Sequence, residues 1–192
     1  MPRQLCPQCQ LPAARCFCDY VVDSQSSTKL VVWQHPSEVD HPKNTLPLLK
    51  ACLPQLTIIR GERILKTDFL KTTATDSEGL HLLFPSTAPS LEPTERSSHR
   101  GSNMCILALD GTWRKARKIV HLNPWLHTLP TISLIDPPSS HYRIRKAEKQ
   151  GQLSTLEAVC AAIHQLDGNS HTSGPILSAF EQYMHKLDVF RP

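Results

Sequence analysis

No run of apolar residues in this chain approaches the roughly 20 that a membrane-spanning helix needs. No apolar segment follows Met1-Pro2-Arg3-Gln4, so neither a transmembrane anchor nor a signal peptide is expected, and a cytoplasmic location is. There is no internal repeat, which argues against a solenoid or propeller. There is no Gly-x-Gly-x-x-Gly, which argues against a standard dinucleotide-binding loop. Nor is there a strong excess of one charge: 21 Lys and Arg against 17 Asp and Glu leave +4. That balance permits a nucleic-acid partner without requiring one. The cysteines number seven, an odd count clustered at the front, which suits reduced thiols and metal ligands better than a disulfide framework. At 192 residues, 40% hydrophobic and 20% charged, the chain can bury one sizeable core and carry a small appendage.

The appendage is Cys6-Pro7-Gln8-Cys9 followed by Cys16-Phe17-Cys18. Four thiols within thirteen residues suffice for a closed tetrahedral zinc site, which is structural rather than catalytic. A segment this short has no core of its own, so the metal would supply its folding energy. The alternative is a set of incidental surface cysteines. The expected division is a zinc-binding knuckle over 1–24 and a main domain over 25–192. Cys52, Cys105 and Cys160 lie in apolar runs and read as buried core thiols.

In the main domain, short apolar runs alternate with helical patterns. Strands are expected at Lys29 to Trp33, Thr57 to Arg60, Leu80 to Phe84, Met104 to Leu109 and Leu129 to Ile135. Helices are expected after Asn44-Thr45 (one of the two as N-cap), after Asp110-Gly111-Thr112, from Ser154 and from Gly174-Pro175. Glu62 to Thr75 reads as a turn or short helix. Thr87 to Ser102, with two prolines and six serines or threonines, reads as a surface loop. The pattern is that of an α/β fold with a mostly parallel sheet and flanking helices.

The chemistry concentrates around Asp110. A carboxylate at the carboxyl end of a buried strand stands where open α/β sheets bind ligands. It is followed by a helix carrying Arg114, Lys115, Arg117 and Lys118, cations suited to RNA phosphates, although they do not all face one side. Asp110 serves either as helix cap and turn former or as a general base or ligand acceptor. Trp113 packs into the core beside the site or stacks on a base; its apolar neighbours Ala116 and Val120 favour the core. His35-Pro36 is a rigid turn or a site edge. Ser139-Ser140-His141-Tyr142-Arg143-Ile144-Arg145-Lys146 interleaves an aromatic with cations and suits an anionic ligand or nucleic acid. Ser154-Thr155-Leu156-Glu157 reads as a capping box.

Five stretches in order carry a family resemblance. They are His35-Pro36-Ser37-Glu38 with Lys43-Asn44-Thr45; Leu82-Leu83-Phe84-Pro85-Ser86; Asp110-Gly111-Thr112-Trp113 with its basic helix; Tyr142-Arg143-Ile144-Arg145; and Leu153-Ser154-Thr155-Leu156-Glu157-Ala158. Together they resemble the DTW-domain family, the tRNA-uridine aminocarboxypropyltransferases, over nearly the whole chain. The resemblance supports zinc in the cysteine knuckle. It implies a SPOUT-like fold with a C-terminal trefoil knot that cradles S-adenosylmethionine, and transfer of the 3-amino-3-carboxypropyl group to a tRNA uridine by a monomer. On that footing Asp110 is the candidate base, with Glu157 or His35 as alternatives. Pro85, Ser86, Asp110, Gly111, Thr112, Trp113, Tyr142, Arg143, Arg145, Ser154, Thr155 and Glu157 would hold S-adenosylmethionine. Lys43, Asn44, Arg114, Lys115, Arg117 and Lys118 would meet RNA. A methyltransferase using the same co-substrate and a non-catalytic zinc-containing RNA-binding protein remain open at this point.

Overall fold

A computed structural model of the chain describes residues 4–41, 44–85, 104–135, 140, 153–167 and 170–189. Five strands form one sheet: β1 (Lys29–Gln34), β2 (Thr57–Arg60), β3 (Leu80–Leu83), β4 (Cys105–Asp110) and β5 (Thr131–Ile132). Their order is β2-β1-β4-β3-β5 and every pairing is parallel. The helices are α1 (Leu46–Cys52), α2 (Lys66–Thr73), α3 (Trp113–Leu122), α4 (Thr155–Asp167) and α5 (Ser173–Val189). Short 3-10 turns follow β1 at Pro36–Glu38 and α3 at Pro124–Thr128.

Parallel strands covered on both faces need apolar residues at successive positions. β1 meets this with Leu30, Val31, Val32 and Trp33, all buried. Alternation then sorts them. Leu30 and Val32 join Ile106 and Ala108 of β4 against α1, α4 and α5. Val31 and Trp33 join Leu107 of β4 against α2, α3 and the Pro124–Thr128 turn. The result is a three-layer α/β/α body. Cys52, Cys105 and Cys160 are buried in it, as expected, and burial pushes each thiol upward. No helix among the described residues is long and apolar enough to cross a membrane.

The expected strands are found with small shifts at their ends, except β5. Only Thr131–Ile132 of the run Leu129 to Ile135 is paired, with β3 on its one neighbouring side. Glu62 to Thr75 resolves as a turn followed by α2, stopped at Ala74 in the left-handed region (φ 49°).

Parallel register also fixes where chemistry can occur. Gln34, the last residue of β1, pairs with Arg60, the last of β2, and with Asp110, the last of β4. Three polar residues from three separate segments therefore end in one row, on the edge from which the loops to α1, α2 and α3 depart.

Candidate functional site

The row at the strand ends is a connected hydrogen-bond chain. Arg60 Nε donates to Gln34 Oε1 at 3.3 Å, and Gln34 Nε2 donates to Asp110 Oδ2 at 2.9 Å. From the opposite side, Thr155 Oγ1 at the start of α4 donates to Asp110 Oδ1 at 2.7 Å. By strand alternation Asp110 shares its face with Ile106 and Ala108, the face that α4 covers, so its carboxylate turns toward that helix. It is 6% exposed. The cap of α3 is Thr112, whose Oγ1 accepts from Lys115 N. Asp110 is thereby released from the capping role and faces the site.

The turn packs tightly at Gly111. A Cβ there would lie 3.1 Å from Lys115 Cβ and 3.6 Å from His35 Cβ, so a side chain would require Lys115 to shift by a few tenths of an ångström. His35 follows Gln34 and donates its backbone N–H to Asp110 O at 3.0 Å. Its ring is engaged at both nitrogens. Nδ1 accepts from Ser37 N at 3.2 Å and lies 2.9 Å from Ser37 Oγ. Nε2 meets Glu62 Oε1 at 2.7 Å. An Nδ1 that accepts a backbone N–H leaves the ring proton on Nε2, aimed at Glu62. His35 is therefore held as an orienting group rather than presented as a free base.

Glu62 also meets Lys118, whose Nζ lies 2.9 Å from Oε1 and 2.7 Å from Oε2. Lys118 first, and His35 after it, hold the Glu62 carboxyl below its ordinary value. Lys115 Nζ reaches Glu38 Oε1 at 2.7 Å, and Glu38 is 3% exposed. Two of the four cations expected to meet RNA are thus already paired with carboxylates. Asn44 is likewise occupied: its Nδ2 donates to Glu38 O and its Oδ1 accepts from Leu46 N, both at 2.9 Å. Thr45 stands at the N-cap position of α1 while Asn44 supplies the side-chain bond.

The capping box is present. Ser154 N donates to Glu157 Oε2 at 2.7 Å, and Glu157 N to Ser154 Oγ at 3.3 Å. Glu157 is buried and also accepts from Ser140 Oγ, at 3.0 and 2.9 Å to its two oxygens. Asp110, Thr155 and Glu157 consequently gather at the N-terminus of α4, where helix-end N–H groups favour anions and backbone contacts to a ligand.

Trp113 departs from the expected core position. It is 42% exposed and meets Phe84 edge to face, with centroids 5.9 Å apart. The buried stripe of α3 is Ala116, Ile119 and Val120. As the first residue of the helix, Trp113 projects beyond the strand ends instead of into the layer below. Pro85 is exposed beside Phe84. Lys43, Ser86, Tyr142, Arg143 and Arg145 lie outside the described residues, as do Thr87 to Ser102.

Gln34, Arg60 and Glu62 were not singled out from sequence. Gln34 precedes His35 at a predicted strand end and was findable from parallel register. Nothing local marks Glu62.

The cysteines form a second, separate centre. The Sγ atoms of Cys6, Cys9, Cys16 and Cys18 all lie within 4.8 Å of one another. Zinc–thiolate bonds of about 2.3 Å place tetrahedral sulfurs about 3.8 Å apart; Cys6 and Cys18 Sγ lie 3.7 Å apart. The geometry and donor set therefore fit a metal such as zinc. Backbone N–H groups of Cys9 and Gln8 directed at Cys6 hold its thiol down at about 6, which favours the thiolate that a metal requires. Burial and the neighbouring thiols push Cys18 up to about 12, so there the metal would have to displace the proton. The knuckle docks on α5: Tyr183 Oη donates to Arg15 O and Lys186 Nζ to Cys16 O, both at 2.8 Å.

The family model for the DTW domain matches residues 3–188. The chain belongs to the DTW-domain family. Among curated proteins, this DTW chain is 33% identical over 174 residues to tRNA-uridine aminocarboxypropyltransferase 2 of Mus musculus, covering 88% of the chain. It is 30% identical over 171 residues, 84% of the chain, to the enzyme of the same name in Drosophila melanogaster. It is 29% identical over 135 residues, 62% of the chain, to tRNA-uridine aminocarboxypropyltransferase A of Arabidopsis thaliana. The matches span 58%, 66% and 50% of those relatives, so the DTW chain corresponds to between half and two thirds of their length. No solved structure matches it significantly.

Proposed function

We propose that this DTW protein transfers the 3-amino-3-carboxypropyl group of S-adenosylmethionine to the imino nitrogen of a tRNA uridine, releasing methylthioadenosine. The observation that carries the reading is Asp110, a buried carboxylate at the end of a central strand, fixed from two sides and placed at the N-terminus of α4. The relatives' names support the reaction.

In that reaction the imino nitrogen attacks the γ-carbon of the transferred group. The carbon–sulfur bond breaks, its electron pair stays on sulfur, and the imino proton must leave. A carboxylate oxygen has two lone-pair directions, so Asp110 can accept from Gln34 and Thr155 and still receive that proton. The two donors fix its orientation. The sulfonium offers its methyl as the less hindered carbon, so transfer of the larger group is a matter of aim, which positioning supplies at several orders of magnitude in rate. The buried carboxylates of Asp110 and Glu157 fit a co-substrate that carries positive charge on sulfur and nitrogen.

This reading includes the SPOUT-type knot, which would involve the segment between β5 and α4, mostly outside the described residues. It places Ser86, Tyr142, Arg143 and Arg145 around the co-substrate, with an arginine on its carboxylate. It also includes zinc in the knuckle and a monomeric, cytoplasmic enzyme.

The test uses tRNA lacking the modification and S-adenosylmethionine labelled separately in the carboxyl carbon and in the methyl. Carboxyl label entering tRNA, with methyl label leaving in methylthioadenosine, is the expected result. Methyl label entering tRNA would make the protein a methyltransferase and remove the reading.

A further inference from the structure

The exposed side of α3 is divided into two flanks. At about 100° per residue, Trp113, Arg117, Arg114, Lys118 and Lys115 follow one another across the exposed side, and their partners divide them into a Trp113–Arg117–Arg114 flank and a Lys118–Lys115 flank. Trp113 and Lys115 border the buried stripe of Ala116, Ile119 and Val120. The lysine flank is turned toward β1 and β2, where Lys115 meets Glu38 and Lys118 meets Glu62. The other flank is turned toward the end of β3, where Trp113 meets Phe84. Arg114 and Arg117 are exposed, and among the described residues neither is in an ion pair.

We infer that, on α3, RNA is engaged by the Trp113–Arg114–Arg117 flank, with an unstacked base on Trp113 and its neighbouring phosphates on the two arginines, while Lys115 and Lys118 stay with Glu38 and Glu62. This rests on the proposed tRNA substrate and names the surface that receives it. An exposed aromatic beside cations is the combination that binds single-stranded nucleic acid: the ring takes a base face and the cations track the backbone. Arginine suits phosphate through its planar fork of donors. The lysines differ in what engagement would cost. A phosphate taking Lys115 leaves the buried Glu38 without its cation, and one taking Lys118 strips Glu62, which orients His35.

Trp113 is also the first residue after the Asp110-Gly111-Thr112 turn, so a base on its face is brought to the same end of the sheet as the candidate base. Its ring meets that of Phe84 edge to face.

The experiment measures affinity for a short oligouridylate against salt concentration, with no turnover needed. Removing one phosphate contact lowers the slope of log affinity on log salt by about 0.7 for single strands. Arg114→Ala and Arg117→Ala are each expected to lower the slope by that amount; Lys118→Ala is expected to leave it unchanged. Lys115→Met is tested together with Glu38→Gln, so that no buried charge is orphaned, and that pair is also expected to leave the slope unchanged. Trp113→Ala is expected to weaken binding between about fivefold and about a hundredfold, the range for loss of one stacked base. RNA should quench tryptophan fluorescence in the wild-type chain and not in Trp113→Phe.

Slopes that fall with the lysine variants and not with the arginine variants would overturn the inference. So would fluorescence quenched through Trp113 by S-adenosylmethionine and unmoved by RNA. These readouts are separate from the labelling test: a chain that binds RNA through this flank yet transfers methyl keeps the inference and loses the transferase reading.

Discussion

The cysteine knuckle and the strand-end site are both clusters of polar ligand groups, yet they are assembled in opposite ways. The knuckle draws four thiols from thirteen consecutive residues, 6 to 18. The site joins Gln34 to Asp110 across 76 positions, Lys115 to Glu38 across 77 and Thr155 to Asp110 across 45. The first is set by local spacing, has a donor set fit for a metal, and rests on the main core through Phe17, Leu11 and Tyr20. The second is held by a sheet buried on both faces and exists before any ligand arrives. Local clusters are therefore vulnerable to loss of their ligand, and distant ones to loss of their scaffold.

Metal removal should separate the two most sharply. A strong chelator, or Cys16→Ser, is expected to unfold the knuckle, because binding energy of about 10 kcal/mol or more is also its folding energy. Hydrogen exchange should show amides of residues 5 to 20 losing protection while β1 and β4 keep theirs. Collapse of the sheet in the same experiment would show that the two regions are one cooperative unit.

Asp110→Asn acts on the other region. Transfer to tRNA should fall at least about 100-fold, the lower range for losing a positioned base, with metal content unchanged. A variant retaining near wild-type turnover would remove Asp110 from the chemistry and leave it a structural link between β4 and α4.

Lys115→Met leaves Glu38 buried without its lysine and should destabilise the main body by roughly 3 kcal/mol, the lower end for breaking a buried pair. Adding Glu38→Gln should recover most of that in denaturant unfolding. Failure of the second change to recover stability would mean that lysine packing, rather than charge, holds the pair.

The smallest effect concerns pH. The Glu62 carboxyl is depressed in the folded chain relative to its ordinary 4.5, so the folded state binds this proton less readily than the unfolded one. Its stabilisation is present above 4.5 and fades as pH falls through the depressed value. Glu62→Gln should remove that acid-side slope together with the small stabilisation present near neutral pH, and leave stability below the depressed value almost unmoved. An unchanged acid limb in melting curves would show that Lys118 and His35 do not hold the carboxylate in solution.

Much of this could be read in the sequence, for reasons that are local. Apolar runs such as Leu30 to Trp33 mark doubly covered strands, Ser154 to Glu157 marks a helix start, and Cys6 to Cys18 marks a thiol cluster that could hold a metal. Each signal lies within a few residues, where chain geometry alone decides the outcome. Asp110 was visible as a carboxylate closing a buried run, and the order of the short motifs pointed to the family.

Tertiary structure alone decided the rest. Parallel register brought Arg60, Gln34 and Asp110 into one row, and strand alternation turned Asp110 toward α4. Glu62 gained its place from the loop after β2, beside His35 and Lys118. Trp113, apolar and in helical phase with Ala116, was left exposed because helix packing gave the core to Ala116, Ile119 and Val120. Whether a lysine on α3 faces RNA or a glutamate depends on which residues the other strands deliver beside it, and no window of sequence contains that information.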